Sequence, residues 1–170
     1  GVRIWLHDLE SERGWTGPDS DRWKHPALTS EEFTVGELVF EVHCTPGHTP
    51  GHVTLIGNGV VISGDCLFLG RCGRTDLFGG DVHAMHDSLK YLKSRLTGLP
   101  KDWLVLPGHQ YVLADGSNPT HLTTGQLMEQ NEALIAAGDD DVFFALEFLA
   151  FDDSLAVKAR RDRARAEKMD

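Results

Sequence analysis

The chain has 170 residues, enough for one domain, or a large piece of one, with a buried core. Hydrophobic residues make up 41% and charged residues 25%, which is ordinary for a soluble globular protein. The net charge of −10 argues against a nucleic-acid partner, and no apolar run approaches the roughly 18 residues that span a membrane. The cysteines are odd in number and lack a CxxC spacing, which favours a reducing, cytoplasmic compartment: Cys44, Cys66 and Cys72.

The first part of the chain alternates between β-rich runs and turns. Residues 8–30 are polar and contain several glycines and prolines, which predicts a long surface loop. Gly36-Glu37 predicts the turn of one hairpin, and Asn58-Gly59 is a stronger signal for a second. The predicted strands lie within residues 2–6, 33–42, 53–56 and 60–63.

Helical patterns dominate the second part. Asp81 can cap a helix, because apolar side chains follow at spacings of three and four and Gly98 can end it. Residues 103–106 predict a buried strand, Thr124 can cap another helix, and residues 153–170 have helical propensity with an arginine cluster that suits a solvated face. The two apolar sets are Val82, Met85, Leu89, Leu92 and Leu96 in the first helix, and Leu127, Met128, Leu134 and Ile135 in the second.

Three potential metal ligands each follow a predicted strand. His48 lies in the glycine- and proline-rich loop 45–52, whose rigid backbone can approach an ion closely. Asp65 follows an apolar strand, where an unpaired carboxylate is costly to bury, and His109 follows the last predicted strand. Two imidazoles and one carboxylate suit zinc or the open facial site of non-haem iron.

The other histidines are less suited to bind a metal. His52 and His43 are interpreted as structural residues. His83, His86 and Asp87 form a tight cluster, but it lies on the amphipathic helix, where solvated side chains are expected.

The runs 45–52, 63–65 and 107–109 read TPGHTPGH, SGD and PGH, and in this order they resemble the metallo-β-lactamase superfamily. The resemblance covers residues 38–131 and implies an α/β (α+β) fold, the C-terminal half of an αββα sandwich with metals at one edge of its sheets. Residues 1–137 would belong to that domain, and 138–170 would form a helical C-terminal extension. The resemblance also implies three metal ligands, of which Asp65 bridges two metals and acts in catalysis: His48, Asp65 and His109.

The first motif of that family, HxHxDH, supplies the remaining ligands and does not occur in this sequence. The chain also starts at Gly1, without methionine and inside a β-rich run. We therefore expect a truncated part of a longer enzyme that is catalytically incompetent alone. Its exposed sheet face and edge would associate with the missing N-terminal half or with a second copy.

Finer resemblances indicate a small thiol-derived substrate. Cys72-Gly73-Arg74 resembles a glyoxalase II segment whose basic residue helps to hold glutathione, and Tyr111 resembles that enzyme's carrier-binding tyrosine. This implies a hydrolase with two Zn²⁺ that acts on a thioester, with Arg74 and Tyr111 binding the substrate. The longer run 72–76 is closer to persulfide dioxygenases, which use one Fe²⁺. The hydrolase, the dioxygenase and the incompetent fragment all remain open.

Overall fold

The structure is a computed structural model and describes residues 2–11 and 19–149. Its strands are β1 (Trp5–His7), β2 (Asp21–Trp23), β3 (Ser30–Val35), β4 (Leu38–Cys44), β5 (Val53–Gly57), β6 (Val60–Gly64), β7 (Leu104–Pro107) and β8 (Leu122–Thr123). Its helices are α1 (Asp8–Ser11), α2 (Val82–Thr97), α3 (Thr124–Gln130), α4 (Glu132–Ala136) and α5 (Asp140–Phe144), followed by a 3₁₀ turn at Glu147–Leu149. The predicted mixed α/β class is confirmed.

The main sheet has six strands in the order β3-β4-β5-β6-β7-β8, and β1 and β2 form a separate parallel pair. Every neighbouring pair in the main sheet is antiparallel except β6 and β7, which α2 connects in parallel. Strands β4, β6 and β7 consequently run in the same direction. Their C-terminal ends lie along one edge of the sheet, and the loops that follow carry His48, Asp65 and His109.

Both predicted hairpins are confirmed. The turn between β3 and β4 contains Gly36, whose φ of +62° lies in the left-handed region. Asn58 and Gly59 have φ values of +51° and +81° and join β5 to β6. Positive φ at both central residues is the geometry that a two-residue turn needs to match the twist of its strands.

Helix α2 buries the apolar stripe that its spacing predicts. The carboxylate of Asp81 accepts hydrogen bonds from the backbone N–H groups of His83 and Ala84, and Gly98 caps the other end. The stripe packs with Val61 and Val105 of the sheet in one core. Its fully buried or nearly buried members are Met85, Leu89, Leu92 and Leu96.

The prediction of one helix from Thr124 is wrong in one respect, because the structure has two helices there, α3 and α4, separated at Asn131. Thr123, not Thr124, is its N-cap and forms a capping box with Gln126. The buried Asn131 side chain accepts from the N–H of Leu134 at 2.8 Å and donates to the carbonyl oxygen of Phe68 at 2.8 Å. These bonds satisfy a buried amide and favour a second helix start over one continuous helix.

The long loop predicted at 8–30 is also wrong, since it contains α1 and β2. Trp23 of β2 is buried and lies 5.3 Å from Trp5 and 5.2 Å from Phe33, measured between ring centroids. Burial of these large rings stabilises a strand where glycine and proline suggested only turns. Strand β1 also begins later than the predicted residue 2. The predicted helix at 153–170 and its arginine cluster lie outside the described residues.

The two faces of the main sheet differ in how they are covered. The helices cover one face, and Phe143 of α5 is fully buried in their core with α2. On the opposite face, Ile62 and Leu104 are 39% and 36% exposed. This agrees with the predicted exposed apolar sheet face. Within the described part of the chain, no helix has the length and apolar character required to cross a membrane.

A buried histidine predicts how stability depends on pH. His43 is fully buried, 2.8 Å from the hydroxyl of Tyr91 and 3.2 Å from the carboxylate of Glu41. Burial lowers its pKa below the usual 6.5; Glu41 opposes this, and the nearby positive charges of Arg95 and His25 add to it.

The unfolded state therefore binds more protons just below pH 6.5, so the free energy of unfolding is expected to fall as the pH drops from 6.5. His43→Gln should remove part of that slope in urea unfolding curves measured between pH 8 and pH 5. An unchanged slope in the variant would contradict the prediction.

Candidate metal-binding site

The three predicted ligands meet at the carboxylate of Asp65. The Nδ1–H of His109 donates to Oδ1 of Asp65 at 2.6 Å. The Nε2 of His48 lies 3.5 Å from Oδ2 of the same carboxylate. Residues from three separate loops, spaced along the sequence, thus share one small volume at the edge of the sheet.

The loop that carries His48 is fixed against helix α2. Gly47 has a φ of +141°, and a Cβ at this position would lie 2.5 Å from the Cα of Met85, so only glycine fits. The carbonyl oxygen of Gly47 accepts from the N–H of Asp81 at 2.8 Å, and that of Pro46 accepts from the Ser88 hydroxyl at 2.6 Å. The close contact with helix α2 explains why the loop needs glycine at position 47.

His48 has one defined tautomer. Its Nδ1–H donates to the carbonyl oxygen of Arg74 at 2.8 Å, so the lone pair of Nε2 faces Asp65. A histidine that donates one ring N–H to a carbonyl oxygen keeps its other ring nitrogen available as a ligand, which is the usual arrangement of metal-binding histidines. A lone pair and a carboxylate oxygen repel each other unless a proton or a cation lies between them.

His52 positions Asp65 through the backbone. Its Nε2 accepts from the N–H of Asp65 at 3.0 Å, and its Nδ1–H donates to the hydroxyl of Thr45 at 2.9 Å. Burial lowers the pKa of His52 to about 4, and the neighbouring His48 contributes, so the ring is neutral at pH 7. The protein itself uses both ring nitrogens, as expected for a structural histidine.

His109 is the most open of the three residues, with 62% of its side chain exposed. Phe68 contacts its ring edge-on at 5.8 Å. Gly108 lets the backbone pass close to Asp65, because a Cβ there would lie 2.5 Å from Oδ1. His109 therefore reaches Asp65 from the solvent side of the cleft.

The three side chains are of types that bind divalent metals, but they are too few to form a complete metal site. Two imidazoles and a carboxylate are suitable ligands, and the tautomer of His48 leaves a nitrogen free for an ion. However, no group of three or more His, Cys, Asp or Glu side chains among residues 2–11 and 19–149 is arranged to hold a metal. The three residues thus fit part of a metal site, and the shell needs further ligands.

The two predicted substrate residues have different surroundings. The guanidinium of Arg74 forms a two-pronged ion pair with Asp76, with Nε donating at 2.7 Å, and this lowers the pKa of Asp76. Tyr111 is 44% exposed, and its ring packs against that of Phe68 in a tilted arrangement, with the ring centroids 5.0 Å apart. The arginine that lies over the Tyr111 ring, at 5.4 Å, is Arg71.

Sequence reasoning missed Phe68 and Arg71, although both lie within nine residues of Asp65. A signal existed, since two arginines flank Cys72-Gly73, but nothing in the sequence distinguishes their partners.

The prediction of a solvated cluster on α2 is wrong for His86, which is buried and stacks on Phe143 at 4.5 Å. Residues from α5, more than 50 positions away, cover it.

Residues 3–109 match the family model of the Metallo-beta-lactamase superfamily, so the chain belongs to that superfamily. It is 47% identical over 75 residues to a hydroxyacylglutathione hydrolase of Tolumonas auensis, covering 44% of this chain and 27% of that relative. It is similar to the structure of ETHE1 from Myxococcus xanthus (TM-score 0.59, 32% identity, 77% of this chain and 55% of that one). It is also similar to the structure of TTHA1623 in a di-iron-bound form (TM-score 0.51, 31% identity), a match that covers 76% of this chain and 64% of that one. The chain spans less than two thirds of each.

Proposed function

We propose that this chain contributes the second part of the active site of a metal-dependent hydrolase that cleaves a glutathione-type thioester. One observation carries the proposal: imidazoles from two loops converge on the Asp65 carboxylate at the edge where β4, β6 and β7 end. The Tolumonas auensis relative is a hydroxyacylglutathione hydrolase, and this similarity supports the substrate class.

In this proposal His48, Asp65 and His109 would be the residues of this chain that hold the ions, with the Asp65 carboxylate shared between the two histidines. A divalent ion held there would lower the pKa of a bound water enough to make hydroxide available at neutral pH. Arg74 fixes the His48 ring through its carbonyl oxygen, and a substrate anion would compete with Asp76 for the Nε and NH2 groups of its guanidinium. Tyr111 lines the cleft beyond His109 and would contact the thiol carrier.

The catalytic activity belongs to the whole protein rather than to these residues alone. The described part offers three ligands, and a two-metal site needs more. The matched residues cover 27% of the Tolumonas auensis relative, which supports the interpretation that other residues complete the site. By itself the chain is proposed to be an incompetent fragment.

A second candidate function is a non-haem iron persulfide dioxygenase. The run 72–76, Cys-Gly-Arg-Thr-Asp, resembles such enzymes, and the 32% identity to ETHE1 favours this alternative. Here His48 and Asp65 would form the two-histidine, one-carboxylate face with one further histidine.

Metal analysis of the full-length protein, combined with two assays, distinguishes the candidates. The hydrolase proposal predicts about two zinc ions per molecule and hydrolysis of a hydroxyacylglutathione thioester that a chelator abolishes. One iron per molecule with oxygen uptake on glutathione persulfide would instead establish the dioxygenase. Full activity after complete metal removal would contradict both.

A further inference from the structure

The loop 45–52, which carries His48, is held from two sides. Helix α2 holds its first half, where the carbonyl oxygen of Gly47 accepts from the N–H of the N-cap residue of that helix at 2.8 Å. Helix α1 holds its second half, because the carboxylate of Glu10 accepts from the backbone N–H of Gly51 at 2.7 Å. His48 lies between these two attachments. The candidate metal site is thus supported by a segment that lies outside the main sheet.

The contact between α1 and the loop is close. A Cβ on Gly51 would lie 2.8 Å from Cγ of Glu10 and 2.9 Å from the backbone nitrogen of Glu10, so α1 could not pack here against a larger residue. Gly51 is buried, and a buried backbone N–H needs an acceptor within the protein. The carboxylate of Glu10 provides that acceptor.

Helix α1 is itself fixed at its start by a histidine with one defined tautomer. His7 is buried; its Nδ1 accepts from the N–H of Leu9 at 3.3 Å, and its Nε2–H donates to the carbonyl oxygen of His25 at 2.9 Å. His7 also pairs with Trp23 in the parallel pair of β1 and β2. Glu10 follows three residues later, so a fixed backbone presents its carboxylate to the loop.

The negative charge of Glu10 also acts at the base of the loop. Cys44 is the last residue of β4, directly before the loop. Burial raises the pKa of the Cys44 thiol to about 11, and the charge of Glu10 adds to this rise. A test of Glu10 must therefore separate the effect of its charge from the effect of its hydrogen bond.

We propose that Glu10 is a positioning residue of the candidate metal site. Its carboxylate fixes Gly51, and the loop between Gly47 and Gly51 then holds Nε2 of His48 towards Asp65. The hydrogen bond carries this role rather than the charge, because the partner of Glu10 in the loop is a neutral N–H group. The inference rests on the proposed function for the presence of a metal, but loop order and metal affinity can be measured without hydrolysis.

The test compares variants of the full-length protein at position 10. Glu10→Gln keeps the reach and an acceptor oxygen without the charge, Glu10→Asp keeps the charge on a shorter side chain, and Glu10→Ala loses both. The affinity of the metal-free protein for Zn²⁺, measured by competition with a chromophoric chelator, should fall about tenfold in Glu10→Ala and Glu10→Asp. Glu10→Gln should recover most of that loss. If Glu10→Ala does not fold, the comparison of Glu10→Gln with Glu10→Asp still decides the question.

The matched control is Asp139→Ala. The carboxylate of Asp139 also accepts from a backbone N–H, that of Val142 at 3.2 Å, but at the start of α5. Its loss should leave the affinity for Zn²⁺ at the wild-type value. An equal loss of affinity in Asp139→Ala and Glu10→Ala would show a general effect of stability and overturn the inference.

Hydrogen exchange of the metal-free protein gives a second readout. The amides of residues 45–52 should exchange faster in Glu10→Ala and Glu10→Asp than in wild type, since the N–H of Gly51 loses its acceptor. Unchanged exchange in Glu10→Ala would contradict the positioning role.

The affinities separate the inference from the proposed function. A wild-type affinity in Glu10→Ala would overturn the inference alone, and so would a loss in Glu10→Gln with none in Glu10→Asp, which would assign the effect to charge. Binding of Zn²⁺ that depends on Glu10, in a protein that does not hydrolyse a thioester, would support the positioning role and refute the proposed hydrolase. Wild-type protein that does not bind Zn²⁺ would refute both.

Discussion

Replacing Asp65 by asparagine is expected to lower the activity of the full-length protein more than about 100-fold and to reduce its metal content. Asp65 is the residue that both His48 and His109 contact, so its charge organises the site. Loss of a residue that only supports a ligand typically costs 10- to 100-fold in metal affinity or activity, and loss of a shared ligand should cost more. Metal content and turnover measured on the same preparation test this expectation.

The matched control for this substitution is Asp115→Asn. Asp115 is also a loop aspartate, but its carboxylate accepts hydrogen bonds from the N–H and hydroxyl of Ser117 rather than contacting the two histidines. Asp115→Asn should therefore keep both metal and activity. If Asp65→Asn kept the metal content of the wild type and an activity within a few-fold of it, Asp65 would not belong to the proposed centre.

Local patterns sufficed to predict the elements whose stability comes from nearby residues. The caps of α2 and its apolar stripe lie within one continuous segment, and the turn at Asn58-Gly59 depends on two residues. The convergence of His48, Asp65 and His109 was also predictable, because each follows a strand and strands in one direction end at one edge.

The remaining features depend on partners distant in sequence. Asn131 breaks a helix because its amide reaches the carbonyl oxygen of Phe68, 63 residues away. β2 exists because Trp23 packs on Trp5 and Phe33. The contact between Arg71 and the Tyr111 ring depends on the loop after His109, which no local pattern describes. In each case a tertiary contact overrides or extends a local preference.

Replacing Gly73 by alanine is expected to destabilise the fold and the candidate site together. A Cβ on Gly73 would overlap the carbonyl oxygen of Asp65 and lie 3.6 Å from Nδ1 of His48, so the backbone of the site must shift. Overpacking of this kind costs about 1–3 kcal/mol in the free energy of unfolding. Urea unfolding of the variant should show a lower midpoint with the same slope.

Gly98→Ala is the matched control for Gly73→Ala. Gly98 has a φ of −84°, and the nearest atom to its added Cβ is the carbonyl oxygen of Arg95 at 3.5 Å, an ordinary contact. Alanine fits that backbone and loses less entropy on folding, so this variant should match or exceed wild-type stability by up to about 1 kcal/mol. Equal unfolding midpoints for Gly73→Ala and wild type would mean that the 72–74 segment can move away from Asp65, and the close packing argued for the site would be wrong.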